Sequence, residues 1–148
     1  MKSILDSEIR EEIINRIKSL DASCEQQWGN MTVGQMIKHC TLVEELYLGK
    51  VKLKRVFLGR IFGKMALNKL LSDDRPIGKN SPTDPYLKVV EKIDDLEPPK
   101  QKWIALIKEY ETHSTAQSIH PFFGKMTMEQ LGQLSFKHND HHLRQFDR

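Results

Sequence analysis

Three of the six histidines in this chain lie within five residues of one another, in the segment SFKHNDHHLRQF. His138 and His142 are four apart, so on a helix their imidazoles leave one face, one turn from each other. At about 100° per residue, Leu131, Leu134, His138 and His142 fall in one narrow arc, and His141 lies to one side of it. Histidine thus stands where more leucine is expected. His39 repeats the substitution, inside the arc spanned by Met36, Leu42, Val43 and Leu46. Neutral imidazole is the commonest metal ligand, and three of them leave one position open on a tetrahedral ion. Such an ion keeps its full charge, draws the pKa of a bound water toward ~7 and deprotonates a bound thiol. Spacing alone is weak support, because six histidines produce an HxxxH pair by chance in roughly one such sequence in five. On spacing alone, a second reading stays open: each histidine is simply hydrogen-bonded inside the core.

The surrounding residues narrow the chemistry. A metalloprotease HExxH motif needs glutamate after the first histidine, and Asn139 stands there. The paired ExxH motifs of a di-iron bundle are absent as well. Asp140 is expected to point away from the His138/His142 arc as a solvated residue, and Glu44 and Glu45 lie off the line of His39. Without a general base, thiol or small-molecule transfer is favoured over peptide-type hydrolysis. Gln35 and Gln145 share the histidine faces and could orient an imidazole or a substrate, with helix capping and surface placement as their other reading. His113 and His120 sit in or beside loops and are expected to be exposed or capping. His120 is not expected as a fourth ligand, since an enzyme site benefits from the open position. Phe122 and Phe123 are expected to plug the end of the bundle, with lining of the pocket mouth as second choice.

Helical periodicity supplies the elements that would hold these residues. Ile9, Ile13, Ile14, Ile17 and Leu20 mark a first helix. A second opens at Thr32 with a capping box to Gln35, runs through Met36, Ile37, Cys40, Val43, Leu46 and Tyr47, and stops near Gly49. Then comes a basic amphipathic segment, Lys50–Leu71, whose apolar side carries Val56, Phe57, Ile61, Phe62, Met65, Leu67 and Leu70. SDDRPIGKNSPTDP reads as a loop, Tyr86–Ile93 as helical, and Pro98-Pro99 as an interruption before a helix through Trp103, Leu106, Ile107 and Tyr110. SIHPFFGKM is a second loop, because His120 precedes Pro121. The last helix opens at Thr127 with a capping box to Gln130. GNMTVGQM and GKMTMEQL resemble each other through this shared helix-start chemistry rather than through duplication. The expected architecture is all-α: a four-helix bundle with an additional basic helix in the connection after the second helix.

Residues 1–148 read as one domain, long enough to bury roughly two thirds of its unfolded surface without a structural metal. A bound ion would therefore serve chemistry. The net charge is only +3, and outside the acid-free stretch from Leu46 to Ser72 acids outnumber bases, which is unlike a nucleic-acid binder. MKSILDSEIREE turns acidic too soon for a signal peptide, and no apolar run approaches the ~20 residues of a membrane span. Cys24 and Cys40 read as reduced thiols of a cytoplasmic protein, Cys40 as a small core residue. The basic segment could lie on anionic lipid or dock on a partner, but the favoured reading packs its apolar face on the bundle and solvates its lysines. An apolar extra helix also leaves a homodimer open.

The segments QQWGNMTVGQMIKHC, RPIGKNSPTDP and HPFFGKMTMEQLGQLSFKHNDHHLRQF resemble the DinB/YfiT-like superfamily of metalloenzymes, in particular a branch of unassigned function. The resemblance runs from about Trp28 to Phe146 and includes the HLRQ tail at His142–Gln145. It implies a four-helix bundle in which His39, His138 and His142 hold one divalent ion, Zn or Ni. It also implies an enzyme acting on a small molecule, a transferase using a low-molecular-weight thiol or a hydrolase, or else a relative that binds without turnover. The short chain, the basic middle helix and the HPFFG loop depart from the thiol-dependent relatives and leave the substrate open.

Overall fold

A computed structural model describes residues 1–113 and 119–148. Of the SIHPFFGKM segment, Ser118 therefore lies outside the described residues. Five helices carry the chain: α1 (Ser7–Lys18), α2 (Val33–Tyr47), α3 (Phe57–Leu70), α4 (Glu97–Glu109) and α5 (Met128–Gln145). Two two-residue strands, β1 (Ile119–His120) and β2 (Gly124–Lys125), pair antiparallel with His120 opposite Gly124. No helix among the described residues is long and apolar enough to cross a membrane.

Local chemistry sets most helix ends. Asp6 accepts from the Glu8 amide at the start of α1. Thr32 and Thr127 each form the reciprocal capping box with the glutamine three residues on, as their spacing predicts. Past Tyr47 the backbone turns at Gly49, whose φ of +73° is left-handed and suits glycine. α2 packs against α4 and α5, and α1 against the same two helices. Ile13, Ile17, Met36, Ile37, Trp103 and Leu131 are buried where these faces meet. Cys40 is buried among them as a free thiol.

Four sequence expectations change. Residues 86–93 are not an α-helix: only Pro85–Leu87 turn, as a single 3₁₀ turn. The β-branched pair Val89-Val90 disfavours helix, and the Leu87 carbonyl bonds a side chain of α2 rather than continuing a helix. Pro98 and Pro99 do not interrupt α4 but lie in its first turn, where their missing N–H groups cost no helical bond. The chain is mostly helical, but SIHPFFGKM is not a plain loop, since Ile119–His120 and Gly124–Lys125 pair as the small β1–β2 hairpin.

The fourth change is the largest. The basic helix begins only at Phe57, and most of its apolar face does not pack on the helices: Phe57, Ile61, Phe62 and Met65 are exposed, while Leu67 is buried with Leu70 packed beside it. α3 rests instead on the hairpin through Gly59 and Gly63, where an added Cβ would run into the Phe122 carbonyl oxygen. Arg55 donates to the Gly59 carbonyl and the Val56 amide donates to Pro121 O. Leu67 is the one side chain of α3 in the core, among the described residues. At the far end, the Lys137 ammonium of α5 donates to the carbonyls of Leu70, Asp73 and Arg75 at 2.7–2.8 Å.

Candidate metal centre

α2 and α5 bring His39, His138 and His142 together, with one ring nitrogen of each lying within 4.8 Å of the others. Their hydrogen bonds assign the protons. His39 Nδ1 lies 2.8 Å from the Leu87 carbonyl, which can only accept, so Nδ1 carries the hydrogen and Nε2 keeps its lone pair. His142 Nδ1 lies 2.9 Å from Gln145 Oε1. The same amide donates through Nε2 to the Trp28 carbonyl at 2.8 Å, which fixes its orientation and again leaves His142 Nε2 free. His39 Nε2 faces His138 Nε2 at 3.2 Å. Two lone pairs at that distance repel unless a cation lies between them or one nitrogen carries a proton. Two imidazoles on one tetrahedral ion at 2.0–2.1 Å stand about 3.3 Å apart, so the separation fits a shared ion.

Electrostatics point the same way. Burial lowers the pKa of His39, sets His138 well below its ordinary value with help from the neighbouring histidines, and lowers His142 to about 3. All three rings are thus neutral and ready as ligands at neutral pH. His138 differs from its partners in one respect: its buried Nδ1 has no hydrogen-bond partner among the described residues. Its ring is held by packing against Tyr47, His39 and His142.

A cleft of about 520 Å³ opens on His39 and His142, walled by Trp28, Gln145, Lys88 and Asn80 among others. Lys79 stands over the Trp28 ring at 4.5 Å. No carboxylate lines the cleft among the described residues. His141 also reaches the cleft, with Nδ1 3.2 Å from the Ile77 carbonyl, but it is not part of the triad.

The other expected site residues separate into roles. Gln145 orients His142. Gln35 lines the cleft, yet its side chain is occupied by the α2 cap and by the carbonyls of Val90 and Glu91 at 3.4 Å. His120 stays outside the triad: its Nδ1 accepts the amides of Phe122 and Phe123, both at 3.1 Å, and so caps the hairpin turn. Burial and the Arg55 guanidinium lower its pKa to about 4. Phe123 stacks on His120 and packs against the core, while Phe122 seats α3 with its backbone. Neither phenylalanine lines the cleft.

Two acids depart from expectation. Asp140 is not a solvated residue: it is buried and bonded to Arg16 at 2.9 Å and Arg144 at 2.7 Å. The second guanidinium lies on its own helix; the first ties α5 to α1. Glu44 is fully buried and was not expected to matter. Its carboxylate accepts from Tyr110 Oη at 2.7 Å, Ser135 Oγ at 2.8 Å and Asn139 Nδ2 at 2.7 Å. Asn139 Oδ1 in turn accepts from Trp103 Nε1 at 2.9 Å. Burial raises the Glu44 pKa, and the three donors oppose that rise. The signal was present, because helical spacing puts Glu44 inside the apolar arc from Cys40 to Ile37. This network braces α5 at Ser135 and Asn139, on either side of His138, without touching the histidine rings.

No curated protein and no solved structure matches the chain. A family model matches residues 2–148, and the chain belongs to that family, DUF1569, a protein of unknown function.

Proposed function

We propose that the protein is a divalent-metal-dependent enzyme acting on a small molecule, with His39, His138 and His142 as ligands and Zn or Ni as the ion. The observation that carries the reading is the pair of facing Nε2 atoms, 3.2 Å apart, beside a third free Nε2 on His142. When bound, the ion would act as a Lewis acid that makes a water or a low-molecular-weight thiol nucleophilic at neutral pH. The chain's own part is to hold the rings. Leu87 O and Gln145 Oε1 keep the hydrogen of two imidazoles on Nδ1, so their Nε2 atoms stay available. Lys88, on the cleft wall, favours a substrate with negative charge. With no carboxylate on that wall among the described residues to serve as base, thiol-dependent transfer is preferred to hydrolysis.

The helix contacts α1–α4, α2–α4, α1–α5 and α2–α5 support a four-helix bundle of the DinB/YfiT kind, with α3 as the insertion after the second helix. The free thiols Cys24 and Cys40 are consistent with a cytoplasmic setting.

The missing carboxylate also favours one second reading, a metal binder without turnover. Metal analysis after exposure to Zn and Ni, followed by dialysis, tests the shared part. One equivalent per chain is expected, falling below a tenth in His138→Ala; less than a tenth in the wild type would overturn both readings. Turnover of a panel of thiol acceptors and esters separates them, and full occupancy with persistent inactivity would select the binder.

A further inference from the structure

We propose that α3 is a membrane-surface anchor, which lies in the interface of an anionic bilayer with its apolar side down. Phe57, Ile61, Phe62 and Met65 are 74, 57, 47 and 65% exposed, and with Leu58 they form one continuous strip of the helix. At about 100° per residue these five side chains cover an arc of about 140°, while Gly59, Gly63 and Leu67 occupy the seated side. Scattered exposed apolar residues are ordinary, but five in one arc, two of them aromatic, make a face.

The charge around that face selects its occupant. Arg60 and Lys64 flank one edge of the strip and Lys69 follows at its end, all three exposed. Lys52 and Lys54 are exposed on the approach to the helix. Among the described residues none of these five cations is in an ion pair, whereas Lys50 is held by Glu109 at 2.9 Å. From Leu46 to Ser72 there is no acid. The nearest ones beyond are engaged, Asp73 with Arg75 and Asp74 with the Lys2 amide. Pairing α3 with α3 of a second copy would bring two acid-free cationic segments together. A surface of anionic headgroups over acyl chains satisfies both features: the cations meet phosphate and serine carboxylate, and the phenylalanines enter the acyl boundary. The seat on the hairpin leaves the strip free to do so, because α3 is held by backbone contacts at Gly59 and Gly63 and by buried Leu67, all on the side away from the strip.

Co-sedimentation of the full chain with vesicles tests this at low salt, with about 30% phosphatidylserine in phosphatidylcholine against phosphatidylcholine alone. Pelleting with the anionic vesicles only is expected, weakening as salt rises. Arg60→Gln with Lys64→Gln should lower the anionic affinity about 25-fold, at roughly fivefold per cation. The triple variant Phe57→Ser, Phe62→Ser, Met65→Ser should abolish pelleting while keeping the wild-type melting temperature, and Phe62→Trp should show a blue-shifted emission on vesicles. Absence of pelleting with anionic vesicles at low salt would overturn the proposal. So would equal binding to neutral vesicles, or a wild-type dimer that the triple variant dissociates with no vesicle binding by either.

Discussion

α3 and α5 are both amphipathic, and they solve opposite problems. α5 carries Ser135, Asn139, His138 and His142 on or beside its inward face, polar groups where leucine would pack. α3 carries phenylalanine, isoleucine and methionine on its outward face, where lysine would be soluble. The polar groups of α5 are tolerated because nearly every one has a partner: Glu44 for Ser135 and Asn139, and Gln145 for His142. The apolar side of α3 has no such partner within the described residues, and the helix stays in place through its glycines and the Lys137 ammonium. Departures from amphipathic convention therefore read differently on the two helices. On α5 they mark a site built inside the molecule, on α3 a face directed outside it.

The largest test of that contrast is Glu44→Ala. It removes the acceptor of the buried Tyr110 and Ser135 hydroxyls and of one Asn139 N–H, whose other hydrogen stays on the Ser135 carbonyl, and a loss of about 3–5 kcal/mol is expected in denaturant unfolding. Glu44→Gln retains most of the bonds and should cost about 1 kcal/mol. If both variants unfold like the wild type, α5 does not depend on the network.

Next in size is acid sensitivity of the hairpin on which α3 sits. His120 has a folded pKa of about 4 against an ordinary 6.5, so the unfolded chain takes up the proton first as pH falls. Its contribution is complete above pH 6.5, declines between pH 6.5 and about 4, and levels off below; the upper bound is about 3 kcal/mol. Protonation of Nδ1 would also displace the two amides it accepts. In the metal-free protein, a His120→Asn variant should show a shallower loss of stability over that window, measured by urea unfolding at several pH values.

A smaller effect is expected at Gln145. Gln145→Leu frees the His142 tautomer and removes the tie to Trp28, and metal affinity measured by competition with a chelator should fall about 10–100-fold. Gln35→Leu, by contrast, should act on helix stability rather than on affinity, since its amide serves the α2 cap. The smallest effect belongs to α3: Phe57→Ser should change stability by no more than about 0.5 kcal/mol, because the ring touches solvent. A larger loss would mean that this face is covered.

Much of the candidate site is legible in the sequence. Both capping boxes, the stop at Gly49 and the common arc of His138 and His142 with Leu131 and Leu134 are local features, set by side-chain chemistry and the 3.6-residue period. Together with the arc that His39 shares with Met36, Val43 and Leu46, they bring three imidazoles onto inward helix faces. Tertiary structure decided what the period cannot express. Leu87, forty-eight residues from His39, supplies the carbonyl that sets its tautomer, and the chain there is a 3₁₀ turn rather than the helix its pattern suggests. Glu44 gained its importance from partners on α5 and at the end of α4. Hydropathy marked α3 as amphipathic but could not say which side is seated, because glycine has no side chain for a hydrophobic pattern to register. The choice was made by backbone contact between Gly59, Gly63 and Phe122, and it turned an expected core-facing strip outward.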